Sequence, residues 1–178
     1  PVYYFVNTLV NQFSRSPILF HFLIMLFHVA TSLIIFLCVR LTHKNDHVAL
    51  LAGSFFALSY FITFKALAWS AFHSHVTNTF TGIFSVYLGL KFLSTEKIIY
   101  LLYACLLMIA TILNYESGFV FPVIIATFTL FFLLNKNTTF RPALNLMIVV
   151  SIAPCVYMAE ARYFTGSPLP LATKRIMD

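Results

Sequence analysis

The sequence predicts an all-α fold, a polytopic bundle of about six membrane-spanning helices preceded by an interfacial helix. Three observations predict it. Of the 178 residues, 61% are hydrophobic and 9% are charged, against about 25% charge in a soluble domain, and the mean hydropathy is +0.92. The charged residues leave uncharged stretches at 16–39, 47–64, 66–90, 98–115, 117–135 and 142–159, each 18 to 25 residues long. A helix needs about 20 apolar residues to cross a bilayer. These stretches lack the polar alternation of a barrel strand, so their backbone groups must be satisfied inside helices.

The elements follow in order. Residues 2–14 are too short to span. Tyr3, Tyr4, Phe5, Val6, Leu9, Val10 and Phe13 make an apolar face opposite Asn7, Asn11 and Gln12, which predicts an interfacial helix over 1–14. Spans are expected near 17–40, 48–64, 74–93, 97–114, 117–135 and 142–162. Pro17 and Pro142 suit first-turn positions, Pro122 lies one turn into the fifth span, and Pro154 predicts a kink in the sixth. Residues 164–178, with Gly166, Pro168 and Pro170, read as a turn-rich tail. The whole is expected to be one transmembrane domain. The start at Pro1 is read as that of a fragment of a larger protein.

Lysine and arginine set the expected orientation. The connections after the first, third and fifth spans hold Arg40, Lys44, Lys91, Lys97, Lys136 and Arg141, and the opposite short connections hold Arg15 and Lys65. This six-to-two bias places the first set in the cytoplasm, although Arg162, Lys174 and Arg175 add to the second side. The sequon Asn137-Thr138-Thr139 then lies in the cytoplasm and stays unmodified. The net charge of +6 comes from scattered single residues without a basic patch, so no nucleic-acid partner is expected. Membrane lipids are. Cys38, Cys105 and Cys155 each lie inside an apolar run and read as small packing residues, with neither a disulfide nor a metal site expected.

Ionisable groups beside the spans are the functional candidates, because charge at membrane depth is costly. His21 and His28, seven residues apart, share a face of the first span near Thr31 and Ser32. They form either a polar seam lining a groove or interhelical hydrogen bonds. The stretch from Lys65 through Trp69 to His73 and His75 combines a cation, an aromatic and two imidazoles that can bind phosphate or shuttle protons. The plainer reading is an aromatic belt with a snorkelling lysine. Glu116, in the turn Asn114-Tyr115-Glu116-Ser117-Gly118, either complements the dipole of the fifth helix or pairs with a cation such as Lys65 or Arg162. No phosphate-binding loop, nucleophile elbow or zinc-protease motif is present in the sequence.

The order of these features resembles the GT-C class of membrane glycosyltransferases, which includes protein O-mannosyltransferases. A Pro-led amphipathic segment precedes a span with two histidines, "FHFLIMLFHVATSLIIF". A small-residue span, "ALLAGSFFALSYF", and a segment ending in Trp, "FKALAW", follow. "NYESGFVFP" then supplies Glu116 and, six residues on, Pro122. The likeness covers about residues 1–135. Where family members often have Asn between the histidines this chain has Ile24, and where they have Lys before the Glu it has Tyr115. The resemblance implies transfer of a sugar from a polyprenyl- or dolichyl-phosphate carrier, the lipid-linked donor, to an acceptor on the outer or lumenal side of a bacterial inner or ER membrane. Lys65, His73, His75, Glu116 and Arg162 would hold the lipid phosphate or substrate. The catalytic carboxylate is expected upstream of Pro1. A non-catalytic scaffold and a transporter are the alternatives. The lack of mid-span charge speaks against an ion-coupled carrier.

Overall fold

The computed structural model describes residues 17–62, 73–114, 116–135 and 138–165. Among them the chain is entirely helical, with six α-helices: α1 (Pro17–His43), α2 (Asp46–Ile62), α3 (His73–Thr95), α4 (Ile98–Asn114), α5 (Val120–Leu134) and α6 (Phe140–Thr165). A short 3-10 turn, Glu116–Phe119, leads into α5. The expected interfacial helix at 1–14, Lys65 and Trp69, and the tail beyond 165 lie outside the described residues.

Five of the six helices begin and end within about three residues of the expected spans. The fifth is corrected at its start. Glu116 opens the 3-10 turn rather than the α-helix, which begins four residues later at Val120. The reason is the close return of the chain onto α4. A β-carbon at Gly118 would stand 2.8 Å from the Thr111 carbonyl oxygen and 2.9 Å from the Ile112 Cα, so the tighter turn is threaded against the backbone before the wider helix can form.

The two tight connections described at the opposite end share one device. Lys44 (φ 52°) ends α1 and Glu96 (φ 56°) ends α3, each in the left-handed conformation. Their N–H groups donate to the carbonyls of Arg40 (3.0 Å) and Phe92 (2.7 Å), which satisfies last-turn acceptors that would otherwise lack partners. Asn45 then caps α2, its Oδ1 accepting from the N–H groups of His47 (3.0 Å) and Val48 (3.3 Å). Asp46 adds a carboxylate to the first turn of α2 and bonds Arg40 Nε at 2.8 Å, both side chains being exposed. α6 runs through Pro154, whose missing N–H leaves the Val150 carbonyl without its intrahelical donor.

α3 is the hub, packing against α1, α4, α5 and α6, while α2 packs on α1. The apolar core lies among α3–α6, around Leu90, Met108, Ile112, Ile125, Leu146 and Val150. Cross-helix contacts establish the up-down order. Phe27 meets Phe80 with ring centroids 5.1 Å apart, Thr81 meets Thr111, and Phe119 meets Tyr157 edge-to-face at 5.1 Å. These pairs bring the starts of α1, α3 and α5 to the ends of α4 and α6. His43, 6.5 Å from Phe131, brings the end of α1 to the end of α5 at the other pole.

The surface is the reverse of a soluble protein's. Ile18, Phe22, Leu33, Leu51, Phe55, Val123 and Leu134 are among the large apolar side chains that face outward, several of them more than 70% exposed, whereas His28, Thr31, Ser32, Asn78, Ser85, Thr111 and Thr129 are buried. Exposed apolar side chains in this number mark a surface that meets a membrane or a partner. Two helices, over His21–His43 and Phe140–Ala159, are long and apolar enough to cross a membrane. Asp46–Leu58, Ile98–Asn114 and Val120–Leu134 are apolar but shorter, and α3 has the length but carries a polar first half.

Two glycines permit the closest approaches, and they predict different genetics. At Gly82 an added β-carbon would enter the ring of buried Phe121, and at Gly118 it would enter the backbone of α4. Gly118→Ala is expected to cost about 1–3 kcal/mol with no rescue by trimming a side chain. Gly82→Ala is expected to cost a similar amount that Phe121→Leu largely restores. Thermal unfolding of the two single variants and the double variant in detergent measures both effects.

Candidate functional site

The candidate residues fall into three groups by position. The backbones of His21, His73, Glu116 and Arg162 all lie at the pole where α1, α3 and α5 begin and α4 and α6 end. His75 lies two residues, about half a turn, into α3 and is half-buried. Lys65 lies outside the described residues, so the proposed pairing of Glu116 with a cation gains no geometry here.

The two histidines of α1 part company. His21 is exposed and His28 is buried. His28 Nε2 lies 3.2 Å from the Ala57 carbonyl oxygen of α2, and its ring stacks on Phe56 at 5.1 Å between centroids. Thr31 and Ser32, beside it, donate to the carbonyls of Phe27 (2.7 Å) and His28 (3.1 Å) in their own helix. Around His28 the polar cluster of α1 thus meets helix carbonyls. Of the two readings of this pair, interhelical hydrogen bonding describes the geometry of His28.

A second polar cluster occupies the first half of α3. Asn78 and Ser85 are buried there, and Thr111 is buried opposite on α4. The Thr81 and Thr111 hydroxyls are 2.8 Å apart, with the Thr77 carbonyl 3.0 Å from Thr81 and the Leu107 carbonyl 2.7 Å from Thr111. Two protons serve this group. One bridges the hydroxyls and the other goes to a carbonyl. Ser85 donates to the Gly82 carbonyl at 2.8 Å and touches Met108 Sδ at 3.9 Å. Nearer the pole, Asn114 holds a buried side-chain oxygen without a hydrogen-bond partner among the described residues. Thr81, Ser85 and Thr111 were not candidates by sequence. The available signal was the run Thr77-Asn78-Thr79-Phe80-Thr81-Gly82, in which polar residues interrupt an apolar span.

A third feature lies between α1 and α2, toward the opposite pole. It is a cleft of about 290 Å³ lined by Ser32, Leu33, Phe36, Leu50, Gly53, Ser54 and Ala57. Its walls carry no charge. Gly53 sits against α1, where a β-carbon would come within 3.0 Å of the Ser32 carbonyl and 3.2 Å of the Phe36 Cβ. With Ala49, which is fully buried, and Ala57 it forms a small-residue stripe at four-residue spacing, the pattern that lets membrane helices approach closely.

The cysteines are free, and they differ. Cys38 is buried, Cys105 is half-buried and Cys155 is exposed, so Cys155 departs from the expected packing role. It lies on the outward face of α6 beside Val156. No group of three or more His, Cys, Asp or Glu side chains suited to a metal occurs among the described residues. No protein-family model, curated protein or solved structure matches the chain.

The chemistry available at the α3–α4–α5 pole is therefore one of imidazole, amide and hydroxyl groups on rigid helices, with Glu116 and Arg162 on the adjacent backbone. Such groups orient a polar headgroup. The Thr81–Thr111 pair yields a direct test. A double-mutant cycle with Thr81→Val and Thr111→Val is expected to give a coupling energy of about 0.6 kcal/mol, the average for hydrogen bonds between membrane helices. Reversible unfolding in mixed micelles measures it.

Proposed function

We propose that the chain is the multi-pass core of a membrane glycosyltransferase of the GT-C type, holding a lipid-linked sugar donor at the pole that carries His21, His73, His75, Glu116 and Arg162. The proposal includes six crossings. α2, α4 and α5 have 17, 17 and 15 residues. With the 3-10 turn added, α5 reaches a length that crosses a slightly thinned bilayer. The observation that carries the reading is the sidedness of the bundle. Its exterior is apolar along the helices, while the backbones of His21, His73, His75, Glu116 and Arg162 lie toward one pole, an arrangement that suits a headgroup site at a membrane surface. The order of sequence features supplies the reaction class.

The chemistry follows from the donor. Breaking the bond between sugar and phosphate leaves negative charge on the lipid phosphate, and cations fixed nearby lower that barrier. Lys65 and Arg162 take this role, with His73 and His75 supporting and Glu116 ordering the cations. The acceptor must lose a proton as it attacks. That base is not assigned to a residue of this chain.

A non-catalytic membrane scaffold is the second reading, and one observation favours it. Thr31, Ser32, Ser85 and Thr129 commit their hydroxyl protons to carbonyls of their own helices, which satisfies them inside the bundle and leaves those protons unavailable to a substrate.

Two measurements in membranes separate the readings. Reporter fusions after residues 44, 96 and 137 are expected on one side of the membrane and fusions near 68, 115 and 165 on the other. Any break in this alternation overturns the six crossings. In the full-length protein, Lys65→Ala and Arg162→Ala are each expected to cut sugar transfer from a polyprenyl-phosphate donor by about a hundredfold. Unchanged transfer removes their assignment, and a correctly alternating full-length protein that transfers no sugar favours the scaffold.

A further inference from the structure

The pole opposite the candidate site holds a combination that sugar transfer does not use. The apolar cleft between α1 and α2 runs along Leu33 and Phe36 on one side and Leu50 and Ser54 on the other. Each wall continues into a basic residue. On α1, Leu33, Phe36 and Arg40 follow one another at three- and four-residue spacing on one face, and on α2 His47, Leu50 and Ser54 do the same. At 1.5 Å per residue, Arg40 lies about 6 Å beyond Phe36 along its helix and His47 about 4.5 Å before Leu50 along its own. Lys44, in the turn that joins the two helices, completes the rim. Arg40, His43, Lys44 and His47 are all exposed. The stretch 40–47 contains one acid, Asp46, and its contact with Arg40 uses Nε, one of the five N–H donors of a guanidinium.

We infer that this cleft is a binding site for an anionic phospholipid, with one acyl chain lying in the cleft and the phosphate held by Arg40, Lys44 and His47. The inference rests on the reading of the chain as membrane-embedded and is independent of sugar transfer. Charge complementarity selects the headgroup, because a basic rim at a helix end attracts anionic lipid over zwitterionic lipid. The uncharged walls select the chain, because the cleft offers a sugar or nucleotide no polar partner beyond two serines, and Ser32 already donates to the His28 carbonyl. A second transmembrane helix is not the occupant. The Gly53 stripe that would receive one is already filled by α1, with the Ser32 carbonyl and Phe36 Cβ at the closest approach.

The test uses the protein in phosphatidylcholine vesicles containing a minority of phosphatidylglycerol. Carbonate extraction comes first, and release of the protein would overturn the membrane reading itself. For protein that stays, electron spin resonance of spin-labelled lipids measures the relative affinity of the two headgroups at the protein surface. A preference for phosphatidylglycerol of at least about fivefold is expected, the effect of roughly one basic residue near the headgroup. The triple variant Arg40→Gln, Lys44→Gln, His47→Gln is expected to abolish it. Ser54→Phe, which fills the cleft from an exposed position and leaves the charges in place, is expected to lower it too. Lys97→Gln with Arg141→Gln, at the same pole on other helices, is expected to leave it unchanged. Equal affinities in the unaltered protein would overturn the site. So would an equal loss in the Lys97 and Arg141 variant, which would mark a general surface charge. Persistence of the full preference in Ser54→Phe, or full competition by soluble glycerol phosphate, would show that the headgroup binds without the chain and would overturn the lipid as occupant.

Discussion

The structure depends on one constraint: polar groups that point inward must find partners inside the bundle, because the surface around them is apolar. The solution is local. Thr31, Thr111 and Thr129 each place a hydroxyl within 2.7 to 2.8 Å of the carbonyl four residues back, so the group is satisfied before any neighbouring helix arrives. Only a few polar contacts then cross between helices. His28 reaches α2, and Thr111 reaches Thr81. Where no polar contact is made, small residues bring backbones together, with Gly53 against α1 and Gly82 against the ring of Phe121. Close packing and these few bonds hold the helices together.

This constraint shapes α3. A helix in the middle of such a bundle can be more polar than its neighbours, because every face meets protein. α3 touches four other helices and carries Asn78, Thr81 and Ser85 on its inner surface. Its flank toward α1 is aromatic instead, Phe80 meeting the rings of Phe27 and Phe84 at a tilt and Phe84 stacking on Tyr87. At its end Lys91 lies 6.0 Å from the Tyr87 ring, within reach of a cation–π contact. The helix therefore changes from polar at the candidate-site pole to apolar toward the other.

The two poles differ in kind. One is made of short turns closed by left-handed residues and capped by Asn45, with basic side chains outside. The other carries the 3-10 turn, the Phe119–Tyr157 contact and the candidate headgroup ligands. A bundle with unlike poles is oriented in its surroundings, and that asymmetry underlies both the proposed donor site and the proposed lipid site.

Among the described residues, charge spacing and composition were enough to determine the type and approximate bounds of the helices, because a charged residue inside an apolar run costs more than any local propensity. The alternation of α1 with α2 and of α3 with α4 followed from the same spacing, since the two-residue connections between them leave no other path. Tertiary structure alone decided which polar residues meet. His21 and His28 are equivalent by spacing, yet only His28 is covered by α2, and no property of α1 alone distinguishes them. The 3-10 start before α5 was likewise illegible, because it arises from the approach of Gly118 to the backbone of α4. The pairing of Thr81 with Thr111 and the cleft beside Gly53 belong to the same class. They exist between helices, and a sequence records the faces of each helix but not which faces come to rest together.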